Sequence, residues 1–122
     1  MSSPPAQPRT STTAAGRAAE RRARVHYRLR GYRVLDTNVW IAGYELDAVL
    51  RRGRRLVFVE VKAKTGDRFG SPLEMVDERK QRRLRRAAEA WLARHPELRG
   101  LEVSFEVAAV GPRSIERVAH AF

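Results

Sequence analysis

The run "RRLVFVEVKAKT", residues 54–65, constrains the fold of this chain more than any other stretch. It alternates with a period of two and is rich in valine, so it reads as a β-strand. Val57, Val59, Val61 and Ala63 make one continuous apolar row, which marks this strand as the centre of a sheet. The opposite row, Leu56, Phe58, Glu60, Lys62 and Lys64, begins apolar and then turns charged. A carboxylate and an ammonium two residues apart on a central strand require an explanation.

The flanking segments supply the rest of the architecture. Residues 1–12 are rich in Ser, Pro, Thr and Ala and read as a disordered tail preceding a domain over 13–122. Thr13 to Arg30 has helical spacing, with Ala15, Ala18, Ala19, Val25 and Leu29 as its apolar stripe and Gly31 as its stop. "YRVLDTNVWI" is expected as a strand, with Val34, Val39 and Ile41 as core candidates. "YELDAVL" follows as a second strand, then a turn at Gly53 and the valine-rich strand. "TGDRFGSP" is a loop, and Val76 to His95 a second helix with Leu84, Ala87, Ala88, Trp91 and Leu92 on its buried stripe. "LEVSFEVAAV" and a short "SIERVAHAF" close the chain as strands. The order α-β-β-β-α-β-(β) predicts an α/β domain with a central mixed sheet flanked by helices.

Taken as a hairpin with a two-residue turn at Arg52-Gly53, the second and third strands pair Val49 with Leu56, Asp47 with Phe58 and Glu45 with Glu60. Glu45, Asp47, Glu60 and Lys62 then share one face. A four-residue turn preserves that face, whereas a three-residue turn reverses it. Carboxylates gathered on neighbouring strands repel, so they call for a cation. Lys62 is one candidate and a hard divalent ion such as Mg²⁺ another. A solvent-exposed sheet face would carry the same charges with no such requirement.

Charge narrows the partners. Lys and Arg number 25 against 14 Asp and Glu, a net charge of +11, which favours a polyanion, nucleic acid first and anionic membrane second. Lys62, Lys64 and Lys80 are the only lysines, so an arginine-rich chain places two of its three ammonium groups in the central strand. With no cysteine, disulfides and thiolate metal sites are excluded. No apolar run approaches the roughly 20 residues of a membrane span. The N-terminus lacks the apolar segment of a secretory signal, and a cytoplasmic location is expected.

Asp47 followed thirteen residues later by Glu60-Val61-Lys62 resembles the Asp…(Asp/Glu)-x-Lys core of restriction-endonuclease-like nucleases. The wider pattern is similar to the YraN family, which is related to archaeal Holliday-junction resolvases. The matching pieces are "GRAAERRA" at 16–23, "GYRVL" at 31–35, "YELD" at 44–47, "VFVEVKAK" at 57–64, "RFGSP" at 68–72, "KQRRLRRAA" at 80–88 and the terminal "AF". Arg17 replaces a usual glutamate, Leu46 stands where many of the nucleases have proline, and Tyr44 stands where the family usually has glycine.

The resemblance implies a restriction-endonuclease-like fold and a Mg²⁺-dependent DNA endonuclease, with Mn²⁺ as a substitute, acting on branched or recombining DNA. Asp47, Glu60 and the Val61 carbonyl would hold the ion and Lys62 would act on the attacking water or the developing charge. Glu45 and Glu20 are further catalytic candidates; a surface ion pair is the plain alternative for Glu20. Lys64, Lys80, Arg82, Arg83 and Arg86 are candidates for the DNA backbone. A junction resolvase acts at two sites, so that substrate implies a homodimer. The rival class is a nucleic-acid-binding accessory or scaffold of little activity. His26, His95 and His120 have no ligand spacing, Trp91 belongs to the core, and Trp40 is read as core in preference to a base-stacking platform.

Overall fold

A computed structural model describes residues 14–64, 76–119 and 121–122. The tail at 1–12, the "RFGSP" loop at 68–72 and His120 lie outside the described residues. Helix α1 is Ala14–Leu29, followed by strands β1 (Arg33–Ile41), β2 (Tyr44–Arg52) and β3 (Arg55–Ala63). Helix α2 is Glu78–Ala93, a 3-10 turn spans Pro96–Leu98, and β4 (Glu102–Val110) and β5 (Ile115–Val118) complete the chain. The sheet order is β1-β2-β3-β4-β5, parallel only between β3 and β4. This is the expected mixed α/β sheet of restriction-endonuclease-like type, with β3 at its centre. No helix among the described residues is long and apolar enough to cross a membrane.

The sheet separates two apolar layers. On one side, Leu84, Ala87, Ala88 and Trp91 of α2 meet Leu46, Val49, Leu56 and Phe58. On the other, Tyr27 of α1 meets Ala48, Leu50, Val57, Val59 and Ala108. Asp77 caps α2, its side chain accepting from the Lys80 backbone N–H at 2.9 Å. The α2 stripe is the expected one, except that Leu92 is only half-buried. In α1 the buried face is Ala19, Glu20, Ala23 and Tyr27, of which the expected stripe contained Ala19 alone. Val25 and Leu29, expected in the stripe, are 47% and 79% exposed. Alanines and a tyrosine outline the inner face because five arginines occupy the outer turns. The terminal Ala-Phe also packs: Ala121 donates its N–H to the Phe105 carbonyl at 2.7 Å, and Phe122 stacks on Phe105.

The β2–β3 register differs by two residues from the expected one. Arg52 pairs with Arg55, Val49 with Phe58 and Ala48 with Val59. The turn is therefore Gly53-Arg54, with Gly53 at φ +60 in the first central position, where a II′ hairpin turn requires glycine. A shift of two preserves which residues share a face. A second irregularity does not. Leu46 packs towards α2 and Ala48 towards α1, although strict alternation would put both on one face. The phase slips at Asp47, beside Asn38 of β1, which has φ +51. That slip places Glu45 on the α1 side, while Glu60 and Lys62 stay on the α2 side. The expectation that Glu45, Asp47, Glu60 and Lys62 share one face is thereby corrected.

Candidate active site

Asp47 and Glu60 lie where the β2–β3 ladder ends, beyond Ala48 opposite Val59. Asp47, only 2% exposed, fills the gap with its carboxylate, and Oδ2 accepts the Val61 backbone N–H at 2.8 Å. The N–H and C=O of a strand residue point to the same side, so the Val61 carbonyl faces the Asp47 side of β3 as well. On the α2 side Glu60, also 2% exposed, accepts a hydrogen bond from the Tyr44 hydroxyl at 3.1 Å on Oε2. Lys62 Nζ lies 3.5 Å from Glu60 Oε1, with its side chain 28% exposed. On the α1 side the Asn38 amide nitrogen donates to Glu20 at 2.9 Å and to Glu45 at 3.1 Å. Both glutamates are buried, so Glu20 is no surface residue.

The left-handed Asn38 explains how two buried carboxylates coexist on the α1 side. Asparagine tolerates positive φ better than most residues, and here one amide serves both acids. Asn38 and Tyr44 were not among the expected site residues. An asparagine within a strand pattern was the available signal for the first. For the second it was a bulky phenol beside the acidic motif.

Burial raises the Glu60 carboxyl above its ordinary value, against the opposing pull of Lys62 and the Tyr44 hydrogen bond. Burial and the charges of Glu60 and Asp47 raise the Tyr44 phenol so far that it stays a neutral donor. The raised Glu60 value means that the native state binds this proton more tightly than the unfolded chain. Metal-free stability must then fall as pH rises from the ordinary 4.5 through the raised value. Glu60→Gln, which imitates the protonated acid and keeps an acceptor for Tyr44, should flatten that part of the profile and stabilise the protein at neutral pH. Thermal unfolding of both proteins without divalent ions, across this pH range, measures it. An unchanged slope would remove the burial cost assigned to Glu60.

The basic candidates fall into two groups. Lys80, Arg82, Arg83 and Arg86 are exposed on α2. Lys80 is near enough to act on Glu60, and Arg83 on Tyr44, so this end of α2 overlooks the site. Lys64 follows Lys62 on the same face, beyond the end of β3, 3.5 Å from Glu116 of β5. His26 and His95 stand apart from the acids; His95 stacks on Trp91, itself buried in the core. Trp40 is half-buried in β1. Among the described residues no three acidic or histidine side chains gather as a ready-made metal cage. The donors at the ladder end are two buried carboxylates and one carbonyl, all oxygen, which is hard-cation chemistry.

Fold and site together define a restriction-endonuclease-like domain with a carboxylate–lysine centre at the end of its central strands. The family model described as "Uncharacterised protein family UPF0102" matches residues 19–110, and the chain belongs to that family. A UPF0102 protein of Methylorubrum extorquens strain PA1 is 42% identical over 113 residues, covering 90% of this chain and 87% of the relative. One of Frankia alni is 44% identical over 114 residues, covering 89% of this chain and 94% of the relative.

Proposed function

We propose that this protein is a Mg²⁺-dependent DNA endonuclease. The observation that carries the reading is Asp47 held on the Val61 N–H beside a buried Glu60 that Lys62 and Tyr44 both engage. Asp47, Glu60 and the Val61 carbonyl are the groups that would hold the ion; a two-carboxylate set suits Mg²⁺, which keeps water and takes substrate phosphate. When bound, the ion supplies a water of lowered pKa and neutralises phosphate charge. Lys62 of β3 carries a flexible ammonium 3.5 Å from the Glu60 carboxylate. It would orient the attacking water and stabilise the negative charge that builds on the phosphoryl oxygens. Tyr44 fixes the rotamer of Glu60. Glu20 and Glu45, tied through Asn38, support the Asp47 side.

DNA enters as the partner through charge. A chain net charge of +11 and an arginine-covered α2 beside the site favour phosphate contacts. Binding should weaken with salt at a log–log slope near −0.9 per neutralised phosphate, and Arg82→Gln/Arg83→Gln/Arg86→Gln should make that slope shallower by about two to three. Titration of labelled duplex at several salt concentrations reads this; a salt-independent affinity would remove the DNA claim.

A second reading is a nucleic-acid-binding accessory without cleavage. It is favoured by the Glu60–Lys62 pair, which already neutralises the buried carboxylate without a metal. Incubation of the protein with linear, flapped and four-way DNA, in Mg²⁺, Mn²⁺ or chelator, separates the two. Divalent-dependent cuts support the nuclease; DNA binding without any cut supports the accessory. Cleavage of four-way junctions further requires two copies, which sedimentation with that DNA would register.

A further inference from the structure

Beyond Lys62 the α2 side of the sheet opens into a cavity of about 330 Å³, lined by Lys64, Ala109, Glu116 and the turn carrying Gly111, Arg113 and Ser114. Lys64 donates its backbone N–H to the Val110 carbonyl at 2.8 Å, which keeps it in line with β3. It therefore follows Lys62 on the same side of the strand, roughly 6.6 Å further on. The turn is tight, with the Gly111 N–H donating to the Ser114 carbonyl at 2.8 Å. Arg22 of α1 donates to the Gly111 carbonyl from the other side of the sheet. That anchored backbone presents an exposed Arg113 and Ser114 at the mouth.

The lining has three kinds of chemistry. Lys64 and Arg113 supply two cations and Ser114 a hydroxyl, the set that binds a phosphate. Ala109 and Pro112 supply an apolar wall suited to a sugar or a base face. Glu116, 3.5 Å from Lys64, holds that ammonium at the cavity and offers an acceptor to a base amine. The volume is at the lower end of the roughly 300–1,000 Å³ of ligand sites. It suits one nucleotide and cannot admit a base pair still stacked in a duplex.

We infer that this cavity receives one unpaired nucleotide of the DNA strand, next to the phosphodiester at Lys62, with Lys64 and Arg113 on its phosphate. The inference rests on the nuclease reading and specifies its substrate: DNA with an unpaired segment, a flap or branch, adjoining the cleaved bond.

The test uses a duplex bearing a single-stranded flap and the same duplex without one, in chelator so that binding is read apart from cleavage. Wild type is expected to prefer the flap. Lys64→Gln/Arg113→Gln should lower flap affinity about tenfold or more, as expected for lost charge-assisted contacts, and plain-duplex affinity by less than about threefold. Arg113→Gln alone, at an exposed position, should lose part of the same preference. Thymidine 5′-monophosphate should shift the amide resonances of Gly111 and Ser114 in wild type and not in the double variant. Equal losses on both DNAs, or no flap preference in wild type, would overturn the inference. If flap preference disappears in the variant but wild type never cleaves with metal, the nuclease reading fails while the cavity assignment stands. If wild type cleaves and the variant keeps its preference, the cavity assignment fails alone.

Discussion

Lys62→Ala is expected to lower divalent-dependent DNA cleavage by about 100- to 1,000-fold, the usual consequence of removing one preorganised charge from a transition state. Alanine also leaves Glu60 buried without its cation, so lost activity could come from lost structure. Lys62→Arg separates the two. It retains a positive partner for Glu60 while replacing a compact ammonium with a planar guanidinium that cannot reproduce its position. The arginine variant should therefore match wild type in unfolding midpoint and still cleave at least about tenfold more slowly. Asp47→Asn is the companion change, because its amide oxygen can still accept the Val61 N–H that closes the ladder end. It should bind DNA and unfold like wild type, with cleavage lost. Initial rates on one flapped substrate, set beside unfolding curves for each variant, decide the matter. Full activity in Lys62→Arg would reduce Lys62 to the structural partner of Glu60.

Arg117→Ala should cost about 3 kcal/mol of stability through a different ion pair. Glu106 of β4 is fully buried, and one of its oxygens accepts from the Tyr27 hydroxyl at 2.8 Å and from Arg117 at 3.0 and 3.1 Å. Arg117 also lies over the Tyr27 ring, 4.5 Å from its centre. Removing the guanidinium would strand a carboxylate beneath α1, and breaking a buried pair on one side is strongly destabilising. The rim exposure of Arg117 keeps the figure at the lower end of that range. Glu106→Gln added to Arg117→Ala should recover part of the loss, since no unpaired charge then remains at position 106. Denaturant unfolding of the two single variants and the double variant measures the coupling. Additive losses would show that Glu106 and Arg117 act independently.

The elements of this fold were legible because their periodicities are strong. The valine row of β3 and the Leu84–Trp91 stripe of α2 lie where their spacing puts them. The inner face of α1 was not, since an alanine-rich helix offers little contrast, and Val25 and Leu29 outweighed the smaller residues that pack. The hairpin register missed by two residues because a glycine inside "RRGRR" permits more than one turn. Asp47, Glu60 and Lys62 were legible as a motif, yet not as a geometry. A break in alternation is invisible to any argument that assumes alternation, and the Asn38 backbone that accompanies it depends on contacts between strands. Glu106 and Arg117 escaped notice because each is unremarkable until β5 folds back on β4.

The single parallel pairing has a kinetic consequence. Strands β1, β2 and β3 are joined by short turns and can associate through local contacts. Pairing of β3 with β4 is different: Arg55 meets Glu102, so a loop of 102 − 55 = 47 residues must close before any of its nine pairs forms. Contacts so distant in sequence are slow to form, because chain entropy is lost before bonding compensates. Glu60 and Lys62 both lie in that late pairing, opposite Val107 and Ala109. A chain stalled with only its first three strands assembled would carry the acidic motif but leave its outer flank unformed. The complete Glu60–Lys62 environment is thus reserved for molecules that have finished folding.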